Sequence, residues 1–231
     1  MEAIVLAGGL GKRLRAAVPD LPKPMAPIDG RPFLEYQLDY WIGQGIKRFI
    51  LSIGYKSEVI KDHFKNNYKQ VPVAYAEEPT PLGTGGGLLL AIGQLKSQSP
   101  FLVLNGDTFF EVDLEQLLQF HRRTRAQCSL AMTRVKNNDR YGGILASEDG
   151  KILNLADNKA PIINGGVYIF EPVLFEGLSP GVFSLEKDLL PQFLEAQKPL
   201  YGFLSGGGFI DIGVPEDYCR ATVFFAKTKH G

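Results

Sequence analysis

Apolar positions in this chain of 231 residues follow two periods that alternate along its first half. Residues 3–6, 49–53, 71–76 and 101–104 are apolar almost throughout, the pattern of strands buried on both faces. Between them the spacing turns helical. Leu34, Leu38, Trp41 and Ile42 fall on one face of a helix starting near Phe33, with Pro32 suited to its first turn and Gly45 to its end. Ser57 opens a second helix carrying Val59, Ile60 and Phe64. A third, carrying Leu88, Leu89, Ile92 and Leu95, has Thr84 as its expected cap. Asp113 and Gln116 form a capping-box signature ahead of Leu114, Leu117 and Leu118.

Repeated strand–helix units predict a mainly parallel sheet with helices on both faces, which binds ligands beyond the carboxyl ends of its strands. From Ala126 onward the rhythm changes. Residues 129–135, 143–146, 152–155 and 167–170 read as strands with short connections, which suggests a small, more antiparallel, sheet-rich sub-lobe. A helix over 185–196, interrupted or restarted at Pro191, precedes a strand over 209–212. A last helix opens at Pro215 with Tyr218, Ala221, Phe224 and Phe225. The expected fold is therefore α/β and Rossmann-like: a mixed, mainly parallel central sheet flanked by helices, with the sub-lobe appended. No repeat, linker or low-complexity segment stands out, so residues 1–231 read as one domain.

Composition narrows the function. A hydrophobic share of 45% and a charged share of 22% belong to a soluble globular chain. Lys and Arg together number 25, as do Asp and Glu, so the net charge of +0 argues against a nucleic-acid binder. The first apolar run is too short and too soon broken by glycine for a signal peptide, and no stretch approaches a membrane span. A cytoplasmic protein is expected. Cys128 and Cys219 share no metal or redox spacing and read as reduced packing residues. A homo-oligomer is compatible with such a chain.

The candidate chemistry starts where the first strand ends. Leu6 and Ala7 lead into Gly8-Gly9-Leu10-Gly11, followed by Lys12 and Arg13, and Lys23 stands between Pro22 and Pro24. Glycines let backbone N–H groups approach anionic oxygens, a guanidinium offers a planar fork to phosphate, and an ammonium offers a point charge. An ordinary glycine turn with solvated cations is the alternative. The loop is not the dinucleotide fingerprint, because Leu14 stands where the third glycine belongs. It is not a Walker loop either, because Leu6 and Arg13 replace the required glycine and hydroxyl residue. Asp107 sits in Asn105-Gly106-Asp107, which is also good turn chemistry. Asp211 lies between Ile210 and Ile212, where an unpaired carboxylate is costly, so it needs a partner. A cation shared with Asp107 and a structural salt bridge are the two choices. His121 falls on the apolar helix face of Leu114, Leu117 and Leu118 and reads as a satisfied core side chain.

Taken together, Gly8-Gly9-Leu10-Gly11-Lys12-Arg13-Leu14 and Lys23-Pro24-Met25 resemble the signature of the sugar-1-phosphate nucleotidyltransferases, or NDP-sugar pyrophosphorylases. Lys12 replaces the usual threonine. The resemblance runs nearly the whole chain through Pro81-Leu82-Gly83-Thr84-Gly85, Leu104-Asn105-Gly106-Asp107-Thr108, Asn164-Gly165-Gly166-Val167-Tyr168 and Phe209-Ile210-Asp211-Ile212-Gly213. It implies transfer of a nucleotidyl group from a nucleoside triphosphate, GTP by preference, to a sugar 1-phosphate, a heptose 1-phosphate by preference. Uridylyl transfer to another sugar phosphate is the runner-up, and a silent sugar-nucleotide-binding regulator is the alternative from a different class. By the same resemblance, Asp107 and Asp211 hold Mg²⁺, Arg13 and Lys23 are catalytic, and Leu6, Ala7, Gly8, Gly9, Gly11, Lys12, Gly83 and Thr84 bind nucleotide. Tyr141, Gly142, Gly143, Lys159, Asn164, Gly165 and Glu186 receive the sugar phosphate. Guanine presents N1–H and N2–H₂ together, which a carboxylate can accept in pairs, so Glu77 or Glu78 is the expected base reader, with Glu78 preferred.

Overall fold

The structure, a computed structural model, describes residues 1–9, 11, 13–14, 18–135, 142–155 and 160–228. Its first half delivers the expected alternation. β1 (Glu2–Leu6) is followed by a 3-10 turn at Lys23–Met25 and a short hairpin, β2 (Pro27–Ile28) and β3 (Arg31–Pro32). Then come α1 (Phe33–Gly43), β4 (Arg48–Ile53), α2 (Ser57–Phe64), β5 (Asn67–Tyr68), β6 (Val71–Glu77), α3 (Gly83–Ile92) and β7 (Phe101–Asn105). The second half runs β8 (Thr108–Phe110), α4 (Leu114–Thr124), β9 (Cys128–Arg134), β10 (Leu145–Ala146), β11 (Ile152–Asn154) and β12 (Ile162–Phe170). A π-helical turn at Leu185–Leu189 then passes into α5 (Leu190–Glu195), followed by β13 (Leu200–Leu204), β14 (Phe209–Asp211) and α6 (Pro215–Thr228).

The main sheet has eight strands in the order β13-β9-β12-β7-β1-β4-β6-β5. β6, β4, β1 and β7 are mutually parallel neighbours. The chain winds outward from β1 through β4 to β6, then returns to place β7 on the other side of β1. That reversal opens a crevice at the carboxyl ends of β1 and β7.

The expected sub-lobe is mostly not a separate body. β9, β12 and β13 join the main sheet, with β12 antiparallel to both β7 and β9 and β13 parallel to β9. Among the described residues of this half, only the pairs β10–β11 and β14–β8 stand outside it. Short apolar strands read the same whether they extend a sheet or start one, and the hydrogen-bonded edge of β7 was there to be extended.

Successive side chains on a strand face opposite ways, and the core follows suit. Val5, Leu51 and Leu104 pack with Leu34, Leu38 and Trp41 of α1 on one face of the sheet. Ile4, Ile50 and Val103 pack with Leu88 and Leu190 on the other. A third cluster joins Leu14 and Val18 of the glycine-loop segment to Phe33, Phe109, Ile212 and Phe225, so α6 anchors that segment from outside the sheet.

The Asp113 cap forms as expected, with its side chain accepting the Gln116 N–H. Thr84 does not cap α3. The residue before α3 is Leu82, which gives no side-chain cap. The helix at 185–196 is interrupted, as a π-helical turn ahead of Pro191 in the first turn of α5. Cys128 is buried, but Cys219 is exposed on α6, so only the first is a packing residue. Burial raises the Cys128 thiol pKa. Among the described residues no helix is long and apolar enough to cross a membrane.

Candidate active site

Two loops meet in the crevice. As the chain leaves β1, the Ala7 N–H donates to the Ser52 carbonyl at 2.7 Å, and the Gly106 N–H donates to the Leu6 carbonyl at 2.9 Å. A Cβ on Gly106 would stand 2.6 Å from that same Leu6 oxygen, so glycine is what lets the two loops close. Gly11 has φ +57°, a left-handed conformation, and its α-carbon faces the Lys23 side chain. The loops border a cavity of about 540 Å³. Leu6, Ala7, Gly8, Gly9, Gly11 and Arg13 line it from the β1 side, with Arg13 exposed.

Lys23 also lines the cavity. Its stem is held in the 3-10 turn and the residue is only 9% exposed, while Nζ lies 2.5 Å from Asp107 Oδ2 and 3.9 Å from Asp211 Oδ1. The Ile212 N–H donates to the Asp107 carbonyl, which ties the β14 end to the β7–β8 turn, and the Gly213 N–H donates to Asp211 Oδ1. The two aspartates, expected together from sequence, do converge on one cationic point. Both readings of Asp211 therefore share this place: a salt bridge to Lys23 exists, and the same oxygens suit a divalent cation. An all-oxygen pair fits Mg²⁺, which takes one or two carboxylates and fills its other positions with phosphate and water. Among the described residues no group of three or more His, Cys, Asp or Glu could hold a metal. A metal at Asp107 and Asp211 would thus lean on the phosphates of a substrate.

Glu78 forms part of the cavity wall, and Glu77 does not. Glu78 Oε2 accepts the Leu82 N–H at 2.9 Å and Oε1 lies 3.4 Å from the Ser52 hydroxyl. Burial raises its pKa above the usual carboxylate value, and those two donors pull it back. A Cβ on Gly8 or on Gly87 would collide with Glu78 Oε1, so glycines on both sides make room for this carboxylate. Glu77 turns outward to Ser57 and Lys61.

Thr84 links the glycine-rich start of α3 to Glu186. Its hydroxyl accepts the Leu185 N–H at 2.8 Å and donates to Glu186 Oε2 at 2.7 Å. Ser184 donates to Oε2 and the Asn105 amide to Oε1. Gly83, at φ +75°, lies against the Phe183 carbonyl, which also accepts the N–H groups of Gly85 and Gly86. The third and fourth N–H groups of α3 are therefore spent on Phe183.

A glycine loop, a cationic hub flanked by two carboxylates and a third, half-buried carboxylate thus meet in one crevice. Residues 2–228 match the Nucleotidyl transferase family. The chain belongs to it. As a nucleotidyltransferase it is 44% identical, over 96% of each chain, to D-glycero-alpha-D-manno-heptose 1-phosphate guanylyltransferase of Aneurinibacillus thermoaerophilus. It is 39% identical to the protein of the same name from Campylobacter jejuni, covering 94% of this chain and 97% of that one. Its structure superposes on the crystal structure of HddC from Yersinia pseudotuberculosis complexed with GMP-PN, with TM-score 0.86 and 35% identity over 97% of this chain and 99% of that one.

Not every residue expected at this nucleotidyltransferase site lines the cavity. Asn164 spends its side chain locally, accepting the Gly166 N–H and donating to the Tyr168 hydroxyl. Gly165 gives space to the Phe110 ring, and Gly143 bridges to Ile163. Neither lines the cavity, nor does the exposed Gly142. Lys12, Tyr141 and Lys159 lie outside the described residues. His121, as expected, is a satisfied core side chain: it is buried against Ser129 and Glu171, and burial lowers its pKa. Ser52 and Gln37 carry no motif in the sequence, and the motif that contains Asn105 does not mark its link to Glu186. A serine inside the apolar run of β4 is the one signal available for the first.

Proposed function

We propose that this nucleotidyltransferase moves a guanylyl group from GTP to D-glycero-α-D-manno-heptose 1-phosphate, giving GDP-heptose and pyrophosphate. The observation that carries the chemistry is Lys23, held between Asp107 and Asp211 at the mouth of a glycine loop. The choice of nucleotide and sugar rests on the two guanylyltransferases matched over nearly their full length.

The acceptor's phosphate oxygen forms a bond to the α-phosphorus. The bond from that phosphorus to the bridging oxygen breaks, and pyrophosphate leaves with the electron pair. No covalent intermediate on the protein is needed, so the protein's contribution is positioning and electrostatics. The backbone at Gly8, Gly9 and Gly11 lies along the triphosphate. Arg13 offers its fork to the departing pyrophosphate, and Lys23 aligns the α-phosphate with the incoming oxygen. Asp107 and Asp211 would hold Mg²⁺, which when bound neutralises charge on the reacting phosphates. Glu78 accepts guanine N1–H and N2–H₂. Its wall position and its Leu82 N–H contact fix the direction from which it does so. Glu186 receives the sugar's hydroxyls, because a carboxylate keeps acceptor capacity beyond the three donors it already meets. Two free cysteines suit the cytoplasm, where nucleotides are supplied.

The test is a pyrophosphate-release matrix of GTP, UTP, CTP, dTTP and ATP against heptose, mannose and glucose 1-phosphates, with and without a chelator. The proposal expects GTP with the heptose phosphate to be fastest and the chelator to stop it. Faster release with UTP or with mannose 1-phosphate would move the specificity elsewhere, and nucleotide binding without any release would leave a regulator.

A further inference from the structure

α1 carries a polar side chain deep into the core. Gln37 is 2% exposed on a helix whose other buried residues include Leu34, Leu38 and Trp41. Its Nε2 donates to the Asn105 carbonyl at 2.9 Å and to the Thr108 carbonyl at 2.7 Å. Those two carbonyls are the last of β7 and the first of β8, and between them stand only Gly106 and Asp107. The amide's orientation is fixed by chemistry, since an oxygen turned that way would face two acceptors.

Packing does not account for the choice of glutamine. Gln37 Oε1 is buried and finds no hydrogen-bond partner among the described residues, which costs free energy that an apolar side chain of the same size would not. What glutamine adds is the clamp across the turn. The turn is held from two other directions, by the Gly106 N–H on the Leu6 carbonyl and the Ile212 N–H on the Asp107 carbonyl. α1, β1 and the end of β14 thus fix one four-residue turn, and the side chain it presents is Asp107.

We infer that Gln37 is a positioning residue for Asp107, holding both ends of the 105–108 turn from the helix behind it. It touches neither the Asp107 carboxylate nor the cavity. The inference rests on the reading of the cavity as a nucleotidyl-transfer site, but its geometry does not. A clamp of this kind sets where Asp107 stands relative to Lys23 and Asp211, while leaving Glu78 and the glycine loop alone.

The experiment uses Gln37→Met, which keeps the volume and removes both donors, with Leu38→Ala as a variant that weakens the same helix without touching the turn. Hydrogen exchange of the peptide spanning 105–108, melting temperature, kcat and KM for GTP are measured on each. Gln37→Met should speed exchange in that peptide and lower kcat by about 10²-fold, the scale of an ångström-sized misplacement. KM for GTP should stay within about threefold, as expected when ground-state binding is untouched. Leu38→Ala should lower the melting temperature and leave turn exchange and kcat near wild type. Unchanged exchange at 105–108 in folded Gln37→Met, or a kcat no lower than in Leu38→Ala, overturns the inference. Should Gln37→Met fail to fold, Gln37→Leu, which likewise has no donor, takes its place: faster exchange and a lower kcat support the clamp, and wild-type values of either overturn it. If the wild type releases no pyrophosphate with any substrate pair, the activity reading fails, and the exchange comparison still decides whether Gln37 holds the turn.

Discussion

Lys23 and Asp107 are 84 residues apart in sequence, and in the fold the lysine nitrogen lies 2.5 Å from the aspartate oxygen. The lysine arrives on a short 3-10 turn and the aspartate on the turn after β7, two segments that meet because β1 and β7 are neighbours in the sheet. The pair also keeps Asp107 and Asp211 from facing each other as bare like charges.

Lys23→Met should therefore harm both turnover and stability. Turnover should fall by about 10²–10³, the loss seen when one donor to transition-state charge is removed. The stability loss should stay below the roughly 3–5 kcal/mol of a fully buried broken pair, because the Asp107 side chain is 40% exposed. Denaturant melts beside steady-state rates check both, and an unchanged rate would remove Lys23 from the mechanism.

Arg13→Ala should behave differently, since Arg13 is an exposed cavity-lining residue. The variant should melt like wild type and lose turnover on the scale of an arginine in phosphoryl transfer, about 10³–10⁵. Asp107→Asn should likewise fold and lose most turnover. Near-normal rates in either variant contradict its assigned role.

Glu78 gives a pH signature. Burial raises its folded pKa, so acid protonates it at a higher pH than it would an ordinary carboxylate. The folded protein then takes up this proton before the unfolded chain does. Its contribution to stability is full below the unfolded pKa and is lost as pH rises through the folded one. In the proposed role, guanine binding by Glu78 has the opposite sense, because only the ionised carboxylate can accept both donors. KM for GTP should climb as pH falls through that raised value, and Glu78→Gln should abolish the climb and weaken the preference for GTP over UTP. A KM profile shared by wild type and variant would show that another group reads the base.

Two glycine substitutions separate site from scaffold. A methyl on Gly8 meets the end of a flexible glutamate side chain, so Gly8→Ala should fold and lose GTP affinity. A methyl on Gly106 meets the Leu6 backbone oxygen at 2.6 Å, so Gly106→Ala should lose about 1–3 kcal/mol of stability, as overpacking does. Melting curves and GTP titrations of the two variants should show this crossed pattern.

Much of this is legible in the sequence, for identifiable reasons. Strands buried on both faces, such as β4 and β7, announce themselves as unbroken apolar runs, and alternation with helices then implies the crevice where Gly8 and Asp107 meet. Asp211 is legible because a carboxylate flanked by isoleucines needs a partner. Strand order is not, so β9, β12 and β13 read as a lobe although they extend the main sheet. Thr84 reads as a helix cap, whereas its hydroxyl serves a segment about a hundred residues away, at Leu185 and Glu186. Gln37 is invisible for a similar reason: its value lies in two carbonyls supplied by β7 and β8, and within α1 it is simply a polar residue on an apolar face.

In the proposed reaction the α-phosphorus of GTP is transferred to the sugar phosphate. The measurement that tests it most directly follows GTP labelled at the α-phosphorus, incubated with the protein, D-glycero-α-D-manno-heptose 1-phosphate and Mg²⁺. Label appearing in GDP-heptose, matched mole for mole by unlabelled pyrophosphate, is the predicted result. Label that stays in GTP, or that appears in free GMP or GDP without a sugar nucleotide, would contradict it.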